Sequence, residues 1–347
     1  MRISLSRPRL GVLVGLVFVP LAACSASDLG ATTAPADPTT TTPSSTTPAA
    51  PSTSTGALAN VRLFVNPSSP ALTQAAAWQS SRPADAALMR YIAQQPTATW
   101  FGDWNTNVAS DVRAVVSRAA SLGTVPVLVA YNIPNRDCGS YSAGGAASAS
   151  AYASWIQSFA NGIQGSSAVV VLEPDAIASD CLSASQRDAR LGMLKNAVQV
   201  LKASGARVYL DAGHPDWVSA SDMAGRLQQA GIAQADGFSL NVSNFYSTSA
   251  NISYGTQLSA QLGGKHYVID TSRNGIGSTD AQWCNPGGRA LGAAPTTNTG
   301  NALVDAFLWV KVPGESDGTC NGGPAAGQWW ADYALGLAQR ATINVNA

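Results

Sequence analysis

From residue 57 onward, short and almost wholly apolar runs alternate with longer segments of mixed polarity. This alternation constrains the fold more than any other feature. The runs are Val61–Val65, Thr97–Phe101, Val125–Tyr131, Ala168–Leu172, Arg207–Leu210, Gly237–Leu240, His266–Ile269 and Ala306–Val310. The segments between them are rich in Ala, Leu, Gln and Arg, as in Ser185–Ala203 and Ser221–Ala230. A strand apolar on both faces needs cover on both faces, which parallel strands joined by helices provide. Eight or so such repeats predict an α/β chain built as a parallel β/α barrel, with its active-site cleft at the C-terminal ends of the strands.

The first 56 residues do not share this pattern. Residues 1–23 read as a signal segment. Arg2, Arg7 and Arg9 make a basic start, and Leu10 to Ala23 is apolar but too short to cross a membrane comfortably. It ends in Leu21-Ala22-Ala23-Cys24, which resembles a bacterial lipobox; an ordinary signal peptide containing a cysteine is the other reading. Either one sends the chain out of the cytoplasm, to a secreted or cell-surface location. Residues 24–56 are almost entirely Ser, Thr, Ala and Pro, too poor in large apolar side chains to offset their ordering entropy, and read as a disordered linker. The linker leads back only to the signal segment, so a single folded domain is expected at 57–347, large enough for a substantial core.

Charge and cysteine usage narrow the function classes. Net charge is zero, with 20 basic and 20 acidic residues and no basic cluster, so nucleic acid is not an expected partner. Two histidines argue against a His-built metal site, and no cofactor is expected. Contact with a membrane is expected only through a lipid anchor at Cys24. Setting Cys24 aside leaves Cys138, Cys181, Cys284 and Cys320, widely spaced and without a C-x-x-C pair, which reads as two structural disulfides in an oxidising compartment. Of the three pairings open to four cysteines, joining sequence neighbours crosses the chain least.

Polar residues follow the runs with unusual regularity. Asn135, Arg136 and Asp137 follow the third; Glu173, Pro174 and Asp175 the fourth; Asp211, His214 and Trp217 the fifth; Asn241 the sixth. Asp270 and Arg273 follow the seventh, and Lys311, Glu315 and Asp317 the eighth. A single Asp after a strand ordinarily caps the next helix. Six strands in succession, in a chain only 12% charged, point instead to a site at one end of a barrel. Trp100, Trp217 and Trp283 sit beside these polar clusters rather than inside apolar runs, as expected of indole faces that stack on sugar rings; Trp309 and Trp155 read as core.

Three strings carry a specific resemblance: YNIPNRDCGSYSAGG at 131–145, VVVLEPDAIA at 169–178 and WVKVPGESDG at 309–318. With YLDAGHPDW at 209–217 and WCNPGGRALG at 283–292, they make the chain from about Asn60 onward similar to glycoside hydrolase family 6. The resemblance implies a distorted barrel that hydrolyses β-1,4-glucosidic bonds of cellulose with inversion. It implies Asp175 as general acid, Asp137 as the carboxylate that raises the proton affinity of that acid, and Asp317 as the proposed base, acting directly or through water. Two nearby carboxylates resist double ionisation, which is consistent with a protonated Asp175.

Tyr131 matches a tyrosine that crowds the sugar at the cleavage point, and Asp211 a supporting aspartate. Trp100, Trp217 and Trp283 match stacking platforms; His214, Asn241, Lys311 and Glu315 match groups that bind hydroxyls. The family's disulfides match Cys138–Cys181 and Cys284–Cys320. The family's water-positioning serine, six residues past Asp137, is replaced here by Ala143, with Ser142 beside it. A sugar-binding protein without catalysis would lack an acid or base carboxylate, and all three are present. The short span from Cys284 to Cys320 predicts an open cleft and internal cleavage of a β-1,4-glucan chain; a monomeric enzyme is expected.

Overall fold

The computed structural model describes residues 56–342 apart from Thr279. The signal segment, Cys24 and most of the linker lie outside the described residues.

Among the described residues seven strands form one sheet in sequence order, every neighbouring pair parallel. They are β1 (Thr99–Phe101), β2 (Val127–Ala130), β3 (Val169–Leu172), β4 (Arg207–Asp211), β5 (Gly237–Leu240), β6 (His266–Asp270) and β7 (Val304–Leu308). Helices α1 (Pro70–Trp78) and α2 (Pro83–Ala93) precede β1. Helices α3 (Val108–Ser121), α4 (Ala149–Ile163), α5 (Ala184–Ala203), α6 (Ala220–Gln229) and α7 (Thr248–Gln261) connect β1 through β6, and α8 (Ala331–Gln339) ends the domain. Ser148, Ser183, Ser219 and Ser247 each accept a main-chain N–H in the first turn of the helix they precede, which fixes where α4 to α7 begin.

Residues alternate between two cores along each strand. Val127, Val129, Val169, Val171, Tyr209 and Val268 pack together inside the curl of the sheet. Leu128, Val170, Leu172, Val208, Leu210, Phe238 and Ile269 pack outward against the helices. Burial of such side chains contributes about 1.5–3 kcal/mol each, so both faces of the sheet stabilise it and the apolar runs are explained.

The expected eighth strand, Val61–Val65, is a correction. Only Leu63 bridges to Val125, flanked by two main-chain hydrogen bonds of 2.9 Å. Pro67 and Pro70 follow at once; proline has no N–H to extend a ladder, and Ser69 caps α1 there. The two ends of the sheet meet where Ala98 donates to the Trp309 carbonyl at 3.0 Å and Thr97 bridges Trp309. The result is a distorted barrel with one thin seam between β7 and β1. The last strand also starts two residues earlier than expected, pairing Val304 with Tyr267, and its register then shifts between Tyr267 and Val268.

Candidate active site

The loop after β2 carries Asp137 and is wound around Arg136. The Arg136 guanidinium donates to the Tyr131 carbonyl at 2.8 Å, to the Asp103 carboxylate at 3.0 Å and to the carbonyls of Ser142 and Ala143. Asp137 Oδ2 accepts the Ser142 N–H at 2.7 Å. Asn135, Asp137 and Cys138 take φ values of +56°, +54° and +51°, a region costly for non-glycine residues and common at functional sites. Burial raises the Asp137 pKa, opposed by the Ser142 N–H and Arg136.

The loop after β3 carries Glu173 and Asp175, again left-handed at φ +51° and +70°. Asp175 N–H donates to Asp211 Oδ2 at 2.9 Å, and Asp211 also accepts from Gly213 N–H and the Ser239 hydroxyl. Asp211 ends β4 and is buried; burial lifts its pKa to about 6 against those donors. The carboxyl of Asp175 lies among acids. Burial, then Asp211, Asp137 and Asp317, push its pKa well above the usual carboxylate range. Cys138–Cys181 ties the two loops together across 43 residues of sequence.

Opposite lie the loops after β6 and β7. Asp317 Oδ2 accepts from Arg273 at 2.8 Å and from Asn285 N–H at 3.0 Å; Oδ1 lies 3.5 Å from Lys311 Nζ. Burial alone would raise the Asp317 pKa, but Arg273 and Lys311 outweigh it and hold the group ionised below the usual value. Asn285 returns its own Oδ1 to the Asp317 N–H at 2.8 Å, and Cys284–Cys320 closes the same corner. Asp270 organises the strand ends: its carboxylate accepts main-chain N–H groups of Ser243, Ser272, Val310 and Lys311.

These loops enclose a cleft of about 1000 Å³ lined by Tyr131, Asp137, Asp175, His214, Lys311, Glu315 and Asp317. Trp100, Trp217 and Trp283 line it as well, the latter two 37% and 43% exposed. Trp100 meets Tyr131 edge-on with ring centres 5.2 Å apart and donates its indole N–H to the Val310 carbonyl. His214 stacks on Tyr246 at 4.4 Å and lies 5.3 Å from Trp217. Burial lowers the His214 pKa to about 4, partly opposed by Asp216, so its ring is neutral in mildly acidic solution. Asn241 and Asp211 stand behind the cleft wall. Asn241 is fully buried, and its amide spans Asp270 O at 2.9 Å and Tyr246 N–H at 3.1 Å. That side chain holds the loop after β5 and is not presented to a hydroxyl in the cleft.

The glycosyl hydrolases family 6 profile matches residues 58–341. This chain belongs to that family. Endoglucanase A of Cellulomonas fimi is 50% identical over 269 residues, covering 76% of this chain and 59% of that protein. Endoglucanase 1 of Streptomyces halstedii is 45% identical, covering 76% of this chain and 85% of that protein. Among solved structures, the Mycobacterium tuberculosis endoglucanase Cel6, in complex with methyl-cellobiosyl-4-deoxy-4-thio-β-D-cellobioside, superposes with a TM-score of 0.77 at 46% identity. That match covers 82% of this chain and 98% of the other.

In this family 6 domain several residues shape the site without having stood out in the sequence. Trp104, 53% exposed, lines the cleft with the Arg136 guanidinium 5.2 Å from its ring. Tyr141 faces Trp283 at 6.0 Å and packs on Gly318, where a Cβ would stand 2.3 Å from its ring. Both lie in or next to segments already singled out, so the signal was an aromatic residue in a polar strand-end loop. Glu173 and Arg273 stood out only as polar residues after their runs; what they and Asn285 pair with was not legible, because those partners come from other loops.

Proposed function

We propose that the chain is an exported, monomeric endo-β-1,4-glucanase that cleaves internal bonds of cellulose with inversion. Asp175 is the general acid, Asp137 the assisting carboxylate and Asp317 the base. One observation carries this reading: in one cleft Asp175 lies buried with Asp211, Asp137 and Asp317 around it, which pushes it toward the protonated form, while Asp317 pairs with Arg273 and Lys311, which hold it toward the ionised form. Such a split is what acid and base roles require of chemically identical groups.

In this reading the glucan lies along Trp100, Trp217 and Trp283, with Tyr131 crowding the ring at the scissile bond. Asp175 gives its proton to the leaving glycosidic oxygen as the bond from C1 breaks. Water bonds to C1 from the opposite face, and its proton passes toward Asp317. Arg273 and the Asn285 N–H already occupy Asp317 Oδ2, which favours relay of that proton through a further water over direct contact. The neutral ring of His214, with Lys311 and Glu315, binds hydroxyls.

Internal cleavage is supported by the exposure of the platform tryptophans and by the endoglucanase names of the bacterial relatives at 44–50% identity. Export is supported by the two disulfides and the leader composition. A lipid at Cys24 would leave the domain tethered to the cell surface through the linker. Proton NMR of the first product tests the mechanism: the α-anomer is expected first from a β-linked glucan. Initial release of the β-anomer would mean a covalent intermediate and end this assignment.

A further inference from the structure

Two buried ionisable side chains beside the cleft take no part in the reaction just described. Glu173 is fully buried, and both its oxygens accept the Asn132 N–H at 3.0 Å. Oε2 also accepts the Ile133 N–H at 3.1 Å. The main-chain N–H of Glu173 meanwhile continues the β2–β3 pairing to the Ala130 carbonyl at 2.8 Å. Arg190, on α5, is also buried. It donates to the carbonyls of Pro134 and Asn135 at 2.9 Å and of Ala176 at 3.3 Å.

These contacts are complementary. One side chain takes the N–H groups of residues 132 and 133, and the other takes the carbonyls of residues 134 and 135. Asp137 hangs from the end of that segment. Asp175 lies between Glu173 and Ala176, so the same two side chains grip both loops. Five non-glycine residues of these loops, Asn135, Asp137, Cys138, Glu173 and Asp175, hold positive φ, a conformation that persists only where surrounding contacts over-determine it. We propose that Glu173 and Arg190 act as a positioning pair that fixes the distance and orientation between Asp137 and Asp175. This rests on the reading of those two carboxyls as acid and assistant.

The charges around the pair are few. Arg136, Arg190 and the Tyr152 and Tyr131 rings face Glu173, whose pKa burial lifts to about 7, while Asp137, Asp211, Asp317 and Tyr131 face Asp175. Loosening the pair therefore lets Asp137 drift from Asp175 and lowers the proton affinity of the acid. A purely structural role would lower stability and leave that affinity alone.

The test uses Arg190→Lys, Arg190→Met and Glu173→Gln in the full chain, with kcat and KM on cellohexaose followed across pH. Thermal unfolding reports the folded fraction. Arg190→Lys keeps the charge but loses the fork that reaches three carbonyls. It is expected to lower kcat per folded molecule about tenfold or more, with KM unchanged, since misplacement of this kind acts on the chemical step. The alkaline limb of the kcat profile should move down by about half a unit or more. Arg190→Met removes a positive charge, and Glu173→Gln removes the negative charge that Glu173 carries as pH rises through about 7, yet both should move the limb down. In an Asp137→Ala background Arg190→Lys should cost little more, because the residue it positions is gone.

Unchanged kcat per folded molecule in Arg190→Lys and Glu173→Gln would overturn the pair. So would limb shifts of opposite sign in the two charge-removing variants, which would reduce the effect to electrostatics. If one variant does not fold, the other two decide. Asp175→Asn separately tests the acid: the alkaline limb should vanish. Should it survive, the acid assignment fails, while loss of kcat at constant KM in Arg190→Lys still supports the pair.

Discussion

The carboxylate of Asp211 accepts the main-chain N–H of Asp175 at 2.9 Å, so the residue that ends one strand holds the acid loop of its neighbour in place. Asp211 acts on Asp175 twice. It fixes a left-handed backbone whose φ is +70°, and its charge resists ionisation of the acid. In Asp211→Asn one of those donors would face an amide nitrogen. The variant is expected to lose roughly tenfold or more in kcat, and its alkaline limb should move to lower pH. A kcat profile superimposable on the parent would show that Asp211 does not act on the acid.

The same residue yields a stability prediction with a definite sign. The pKa of Asp211 rises from 3.8 to about 6 on folding because burial disfavours the charged form. Its stabilising contribution is therefore complete below pH 3.8 and is lost as pH rises through 6. Asp211→Asn removes that loss. The Tm of the variant relative to the parent should climb between about pH 4 and 7. Paired thermal scans at several pH values measure the difference directly, and a flat difference would place the titration elsewhere.

Leaving-group dependence separates the two catalytic carboxyls. Asp175→Ala should cut activity on cello-oligosaccharides by several orders of magnitude, general acid help being worth about 10²–10⁴-fold. The loss should be much smaller on an aryl cellobioside whose phenol is acidic enough to leave unprotonated. Asp137→Ala should hurt both substrates, since Asp137 acts on the charged transition state as well as on the proton. Equal losses for both substrates in Asp175→Ala would remove it from the acid role.

Trp217 and Trp283 are exposed at the cleft, so replacing either with Ala should leave the fold intact. Each change is expected to weaken binding of a cello-oligosaccharide by roughly tenfold, about 1.4 kcal/mol. Trp309, buried between the helices and the seam, is the contrast: Trp309→Ala should destabilise by about 3–5 kcal/mol. Titration calorimetry and thermal unfolding on the three variants distinguish platform from core.

Cys138–Cys181 closes a loop of 43 residues, worth roughly 4 kcal/mol in the chain-entropy model. Replacing both cysteines with serine should lower Tm, and it should lower kcat more than KM because the bridge joins the loops of Asp137 and Asp175. Non-reducing peptide mapping checks the pairing itself; a crossed pair would refute it.

Much of the architecture was legible from local pattern alone. Continuous apolar runs specify strands buried on both faces, and the Ala-, Leu-, Gln- and Arg-rich segments between them specify helices, because both signals act over a few residues. The acids and tryptophans after the runs were legible for the same reason, since a parallel barrel brings every strand end to one rim. Only the tertiary structure decided the rest. Val61–Val65 has the composition of a strand, but whether it finds an edge to pair with depends on the closure of the whole sheet and on the prolines after it. Asn241 follows a strand as the cleft residues do, yet it is turned inward, to Tyr246 in its own loop and to Asp270 at the end of the next strand. Asp175 and Asp317 are the same side chain in similar loops. Burial and acidic neighbours push the first toward the protonated form, while Arg273 and Lys311 hold the second toward the ionised form, because burial and distant partners, not local sequence, set the energy of a buried charge.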